Sequence, residues 1–186
     1  VSRPRPRGGP SGGGGSGANG GDFWPLYVGA SSREQDPDGL RAAYDKFRKP
    51  GQRVKLYLVG HGPYSETLAA ALPDAVFLGY LTGEPLAKAY ASADVFVFPS
   101  RTDTFGLVMI EALACGVPVA AYPVTGPVDV LNDQVGAMDE ELDMAISNAL
   151  EKDRSNCATY GRGFTWETSA RQVPSALVHL RTSGRY

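Results

Sequence analysis

The chain has 186 residues, 42% of them hydrophobic and 20% charged, which fits one soluble globular domain and excludes disordered, fibrous and membrane classes. Its formal net charge is −2 with Lys and Arg scattered along the chain, so no basic stripe is present to bind nucleic acid. Cys115 and Cys157 lack CxxC or Cys/His ligand spacing, with only His61 and His179 to join them, so the plain reading is a reduced, cytosolic protein without structural zinc.

The first residue is Val1 rather than Met, so a fragment or a processed product is expected. No apolar stretch of signal-peptide type opens the chain, and no apolar run approaches the roughly 20 residues that cross a bilayer. Residues 1–22 include RPRPRGGPSGGGGSGANGG and are expected to form a flexible Gly/Ser/Pro arm, having no side chain able to build a core. Its three arginines are too few to make it a tether for an acidic partner.

From Phe23 onward, short apolar runs alternate with helical patterns. Leu26–Val28, Lys55–Val59, Val76–Leu78, Val95–Phe98 and Val117–Ala121 read as strands, and Leu40–Phe47, Glu66–Leu72, Glu84–Ser92 and Phe105–Ala114 as helices. Strands apolar on both faces and separated by helices predict an α/β, Rossmann-like domain over 23–135, with a parallel sheet covered on both sides by right-handed crossovers. Residues 136–186 are expected to supply two closing helices packed on it. These are Glu140–Leu150, with Leu142, Ala145, Ile146, Ala149 and Leu150 at helical spacing, and Trp166–Leu180, with Trp166, Ala170, Val173 and Leu177.

The stretch VFPSRTDTFGLVMIEALACGVPVAAYP, ending at Pro123, carries the chemistry. In a doubly wound sheet, ligands gather at the carboxyl ends of strands, where Pro99–Thr104 must lie. Asp103 or Thr104 is expected to cap the next helix, and Gly106 lets the backbone approach a bound group. Amides around Gly106, Leu107 and Val108 then offer a phosphate or diphosphate the positive end of the helix dipole. The alternative is an ordinary capped helix with an empty amino terminus.

Glu111 lies within LVMIEALA, apolar nearly all round and therefore expected to be buried, where a carboxylate needs hydrogen-bond donors such as the two hydroxyls of a ribose. The alternative is a partly exposed Glu paired with a neighbouring Lys or Arg. Asp103 stands eight positions before it, more than two helical turns away, so the two carboxylates can grip both ends of one extended ligand.

Asp103–Glu111, within SRTDTFGLVMIEALACGVPVAA, resembles the E-x7-E signature of retaining GT-B glycosyltransferases, with Asp as the first acid. The likeness continues through LYLVGHGPYSETL, FLGYLTGEPLAKAYASADVFVFPS, PVTGPVDVL and FTWETSARQ, covering most of Leu56–Gln172. It implies that Asp103 binds the hydroxyls of the transferred sugar, the Thr104–Phe105–Gly106–Leu107–Val108 backbone the diphosphate, and Glu111 the ribose. The wording is nearest the mannosyltransferase-like branch. That implies a nucleotide-sugar donor such as GDP-mannose or UDP-glucose, a lipid or glycan acceptor, and no cofactor or metal. Gly60, His61, Gly62 and Pro63 form a second ligand-facing loop, near the nucleotide in similar proteins, with His61 either on a phosphate or merely exposed. The same loop fails as a dinucleotide fingerprint, since Ser65 stands where the last Gly is needed. Tyr80 either lines the base pocket or packs at the edge of the core.

The likeness breaks in two places. Similar enzymes carry an Arg shortly after the first strand and a Lys about five positions later, which stabilise the departing diphosphate. Here Ala30 and Gln35 stand at those positions, with Arg33 between them. GT-B enzymes also have two Rossmann-like domains, the acceptor domain coming first, whereas this length accommodates one. The expectation is therefore the C-terminal, donor-binding half of such an enzyme, cytoplasmic, and associated with a membrane periphery through the missing acceptor domain. The other reading is an inactive remnant that keeps its nucleotide pocket and serves as an interaction module.

Overall fold

The computed structural model describes residues 23–29, 36–47, 54–102 and 106–164. The expected arm, Ala30, Arg33, Gln35, Asp103, Thr104, Phe105 and the helix read over Trp166–Leu180 lie outside them. In chain order the elements are β1 (Pro25–Val28), α1 (Pro37–Phe47), β2 (Tyr57–Val59), α2 (Ser65–Ala71), β3 (Val76–Gly79), α3 (Gly83–Ser92), β4 (Val95–Phe98), α4 (Leu107–Ala114), β5 (Val119–Ala121), α5 (Pro127–Val130), β6 (Gly136–Met138), α6 (Leu142–Ala149) and α7 (Arg154–Arg162). All neighbouring strands pair in parallel, and the order across the sheet is β3-β2-β1-β4-β5-β6. This is the doubly wound Rossmann order.

Alternation along β4 explains the two-sided core. Val95 and Val97 join Leu40 and Tyr44 of α1 and Ile146 of α6 on one face. Phe96 and Phe98 join Tyr90 of α3, Met109 and Leu113 of α4 and Cys157 of α7 on the other. Side chains that alternate across a strand must both find apolar cover when helices lie on both faces.

The structure departs from the sequence reading at the margins. A sixth strand, β6, extends the sheet past residue 135. It begins at Gly136, where a Cβ would meet the Val119 carbonyl at 2.7 Å, so the residue that permits the pairing is one that strand propensity does not mark. Helix α7 was also not expected, because only Cys157 and Gly161 of it are buried and no apolar stripe announces it. Its start is capped by Asp153, whose side chain accepts from the amides of Ser155 and Asn156 at 2.7 and 3.4 Å. Gly161 lets α7 lie against α4, since any Cβ there would fall on the backbone of Leu113 and Ala114. Finally, β3 is not apolar-covered on both faces, for Phe77 and Leu78 are both exposed. As an edge strand it has one neighbour, β2, rather than two.

Candidate functional site

The order of the sheet reverses between β1 and β4, so the connections leaving those strands run to opposite faces and open a crevice at the carboxyl edge. Gly29 follows β1 there, and Pro99–Thr102 follow β4. Gly60, at the end of β2, has φ +122°, a conformation that favours glycine. A Cβ on it would land on the Gly29 carbonyl oxygen. The Gly29 amide donates to the Val59 carbonyl at 3.0 Å and the Gly60 amide to the Gly79 carbonyl at 2.8 Å. Three strand ends are thus drawn together with no side chain projecting from either glycine. His61 is exposed. Ser65 Oγ accepts from the Gly62 amide at 2.9 Å, so the residue that breaks the dinucleotide fingerprint instead pins this loop to the start of α2. Tyr80, which follows β3, is 80% exposed, which rules out its packing at the edge of the core.

The helix after β4 begins at Leu107, with Gly106 as its N-cap and no side-chain cap hydrogen bond. The sequence predicts a start at Phe105; the expected caps, Asp103 or Thr104, lie outside the described residues. The later start places Gly106 at the turn, buried, with the Met109 methyl occupying the space of a Cβ. First-turn amides of a helix have no partner within it, and here they belong to Leu107 and Val108 at the carboxyl edge of the sheet. Leu107 is itself half exposed.

Glu111 is exposed rather than buried. Met109, Ala112 and Leu113 make up the buried side of α4, and at 100° per residue Glu111 falls away from it. Its partner is neither Lys nor Arg: the Tyr90 hydroxyl donates to Glu111 Oε2 at 3.1 Å. Tyr90 is 1% exposed, and its ring meets Phe96 edge-on with centroids 5.7 Å apart. Burial, and then the Glu111 carboxylate, push its ionisation well above the ordinary tyrosine value, so the hydroxyl remains a proton donor across the physiological range. Cys115, one turn further along, is also raised, by burial first and by Glu111 second.

Four residues outside the sequence reading meet along the same edge. Tyr122, after β5, donates its hydroxyl to Asp36 Oδ2 at 2.9 Å. Arg101, after β4, places Nε 3.5 Å from Asp36 Oδ2 and Nη1 3.2 Å from Glu140 Oε2. Its guanidinium also stacks over the Tyr122 ring at 3.7 Å, a favourable cation–π arrangement. Asp36 holds a left-handed φ of +41° and accepts from the Gly39 amide at 3.0 Å. Burial and then the bond to Asp36 push the Tyr122 phenol up to about 12. The cluster ties the start of α1 to the ends of β4, β5 and β6, and it brings a cation, Arg101, to the carboxyl edge of the sheet.

The model for glycosyl transferases group 1 matches residues 24–152, a span running from β1 through α6 and including both the Gly60–Gly62 loop and α4. The chain belongs to this family. A GDP-mannose-dependent alpha-mannosyltransferase of Corynebacterium glutamicum is 36% identical over 132 residues, 64% of this chain and 32% of the relative. Sulfoquinovosyl transferase SQD2 of Arabidopsis thaliana is 39% identical over 167 residues, 84% of this chain and 32% of its own length. The chain therefore spans about a third of these curated relatives. Among solved structures, sucrose-phosphate synthase of Thermosynechococcus elongatus superposes with a TM-score of 0.67 at 29% identity, covering 87% of this chain and 46% of that one. The architecture is accordingly that of a Rossmann-like unit of a GT-B glycosyltransferase.

Proposed function

We propose that this chain forms the C-terminal, donor-binding half of a retaining hexosyltransferase that uses a nucleotide-sugar. The observation that carries the reading is the Glu111 carboxylate, held by a buried tyrosine hydroxyl about one turn past a helix start whose N-cap is Gly106. In this reading Glu111 accepts from the ribose hydroxyls, and the amides of Leu107 and Val108 receive the diphosphate at the positive end of α4. Asp103 binds the hydroxyls of the sugar, and Thr104 and Phe105 complete the diphosphate loop. The base lies against Gly60, His61 and Gly62, with Tyr80 free to cover it.

Transfer with retention breaks the bond between the anomeric carbon and the diphosphate oxygen and forms one to the acceptor oxygen on the same face. The acceptor proton passes to the leaving phosphate, so no protein nucleophile is required. Charge on the leaving group must be stabilised as it grows, and Arg33 and Arg101 are the cations nearest in sequence to the two sides of the crevice. A lipid or glycan acceptor binds on a second, N-terminal domain, through which the protein attaches peripherally to the cytoplasmic face of a membrane. The GDP-mannose-dependent relatives favour GDP-mannose as donor, with UDP-glucose as the competing choice. Ala30 and Gln35 favour a second reading, a nucleotide-binding module without turnover.

Calorimetric titration with GDP, UDP, GDP-mannose and UDP-glucose tests the proposal. One nucleotide should bind saturably, and Glu111→Ala should weaken it by about ten- to a hundredfold, the worth of hydrogen bonds to a charged acceptor. Stability should fall by about 1–3 kcal/mol, because the buried Tyr90 hydroxyl loses its acceptor, while the fold persists. Unchanged affinity in Glu111→Ala would sink the ribose assignment. Binding by the intact chain, followed by no transfer when an acceptor domain is supplied, would favour the second reading.

A further inference from the structure

Glu111 has an exposed side chain with three rotatable bonds, and such a group loses rotamer freedom when a ligand fixes it. What restrains it here comes from a different helix. Tyr90 sits at the end of α3, its ring lodged between the sheet and α4 and set edge-on against Phe96. The end of α3 is itself clamped: Ala93 donates its amide to the Tyr90 carbonyl at 2.9 Å, and Arg154 of α7 donates to the carbonyls of Ala93 and Ala91 at 2.6 and 3.4 Å. The tyrosine hydroxyl thus has a position fixed by packing on α3, α4 and the sheet, and by a cap from α7.

From this geometry we infer that Tyr90 is the positioning residue for Glu111, its buried hydroxyl holding Oε2 so that the carboxylate is already oriented when a nucleotide's ribose arrives. The inference rests on the ribose reading of Glu111 and goes beyond it. A carboxylate has about four acceptor sites on its two oxygens, and one hydroxyl donor occupies one of them. Enough acceptor capacity remains for a cis-diol. Because Tyr90 stays protonated throughout the physiological range, the restraint does not switch with pH.

The experiment uses the intact 186-residue chain and four probes: GDP, UDP and their 2′-deoxy counterparts. For the nucleotide that binds, the unmodified chain should lose about tenfold in affinity when the 2′-hydroxyl is removed. Tyr90→Phe keeps the ring and its packing on Phe96, so the fold should persist. It should bind the ribonucleotide several-fold more weakly, with the 2′-hydroxyl preference cut to about twofold or less. Glu111→Asp keeps the charge but withdraws it from the hydroxyl. Its loss should not add to that of Tyr90→Phe, as expected for two changes that break one interaction. A lowered melting temperature in Tyr90→Phe with an undiminished 2′-hydroxyl preference would overturn the inference and leave Tyr90 a core residue. Additive losses from Tyr90→Phe and Glu111→Asp would overturn it as well. If the unmodified chain binds ribo- and deoxyribonucleotide equally, the ribose reading fails first, and the inference with it.

Discussion

Strands β4 and β3 read alike in the sequence, VFVF against VFLG, and behave differently in the fold. Every residue of β4 is at most 1% exposed, whereas Phe77 and Leu78 of β3 are 37% and 38% exposed. β4 has β1 and β5 beside it and helices on both faces, while among the described residues β3 has β2 alone. The difference separates a densely packed platform from an exposed margin. The platform carries α4, Glu111 and Tyr90, where geometry must be held. The margin carries the exposed Tyr80 and the glycine turn at Gly79. In the proposed reading, charge recognition falls on the packed centre and apolar coverage on the edge, as expected from what each can hold still.

Deleting the platform's largest contact should have the largest effect. Phe96→Ala removes a fully buried ring and should cost about 3–5 kcal/mol in urea unfolding, with nucleotide affinity lost as well, since the Tyr90 ring leans on Phe96. Gly161→Ala comes next. The new methyl would strike the backbone of α4 and should cost about 1–3 kcal/mol as overpacking, although alanine alone would favour the helix by about 1 kcal/mol. A stabilised Gly161→Ala would show that α7 is not held close to α4. The smallest effect should come from the margin, where Phe77→Ala should cost less than about 1 kcal/mol. Should Phe77→Ala and Phe96→Ala prove equally costly, the contrast between centre and edge would collapse.

The strands and helices from β1 to β5 were legible because apolar runs and helical periods alternate there without interruption. What was not legible has physical causes. β6 and α7 rest on Gly136 and Gly161, whose value lies in a missing side chain, and patterns built on apolar residues pass over them. Burial of β3 was overread because an apolar run does not say how many neighbours a strand will have. Glu111 was expected inside because LVMIEALA is apolar nearly all round, yet a helix on the surface of one sheet layer must expose some residues, and Leu107 shares that fate. Position, not composition, decided these cases.

The site itself was partly readable. The crevice, the loop at Gly60 and the helix after β4 follow from topology and were anticipated. The partner of Glu111 was not, because Tyr90 stands 21 positions earlier on another helix. Nor was the group of Asp36, Arg101, Tyr122 and Glu140, whose members come from four separate connections and meet only when the strands are ordered. Asp103, Thr104, Phe105, Ala30, Arg33 and Gln35 lie outside the described residues, so their proposed roles stand on the family likeness.

The most direct test of the central claim is a nuclear magnetic resonance titration of the isotope-labelled chain, following each backbone amide as GDP or UDP is added. The account predicts saturable shifts at Gly29, Gly60–Gly62 and Gly106–Glu111, with the ion-paired surface of Lys46, Glu141 and Asp143 unmoved. Shifts centred on that surface, or none with either nucleotide, would contradict it.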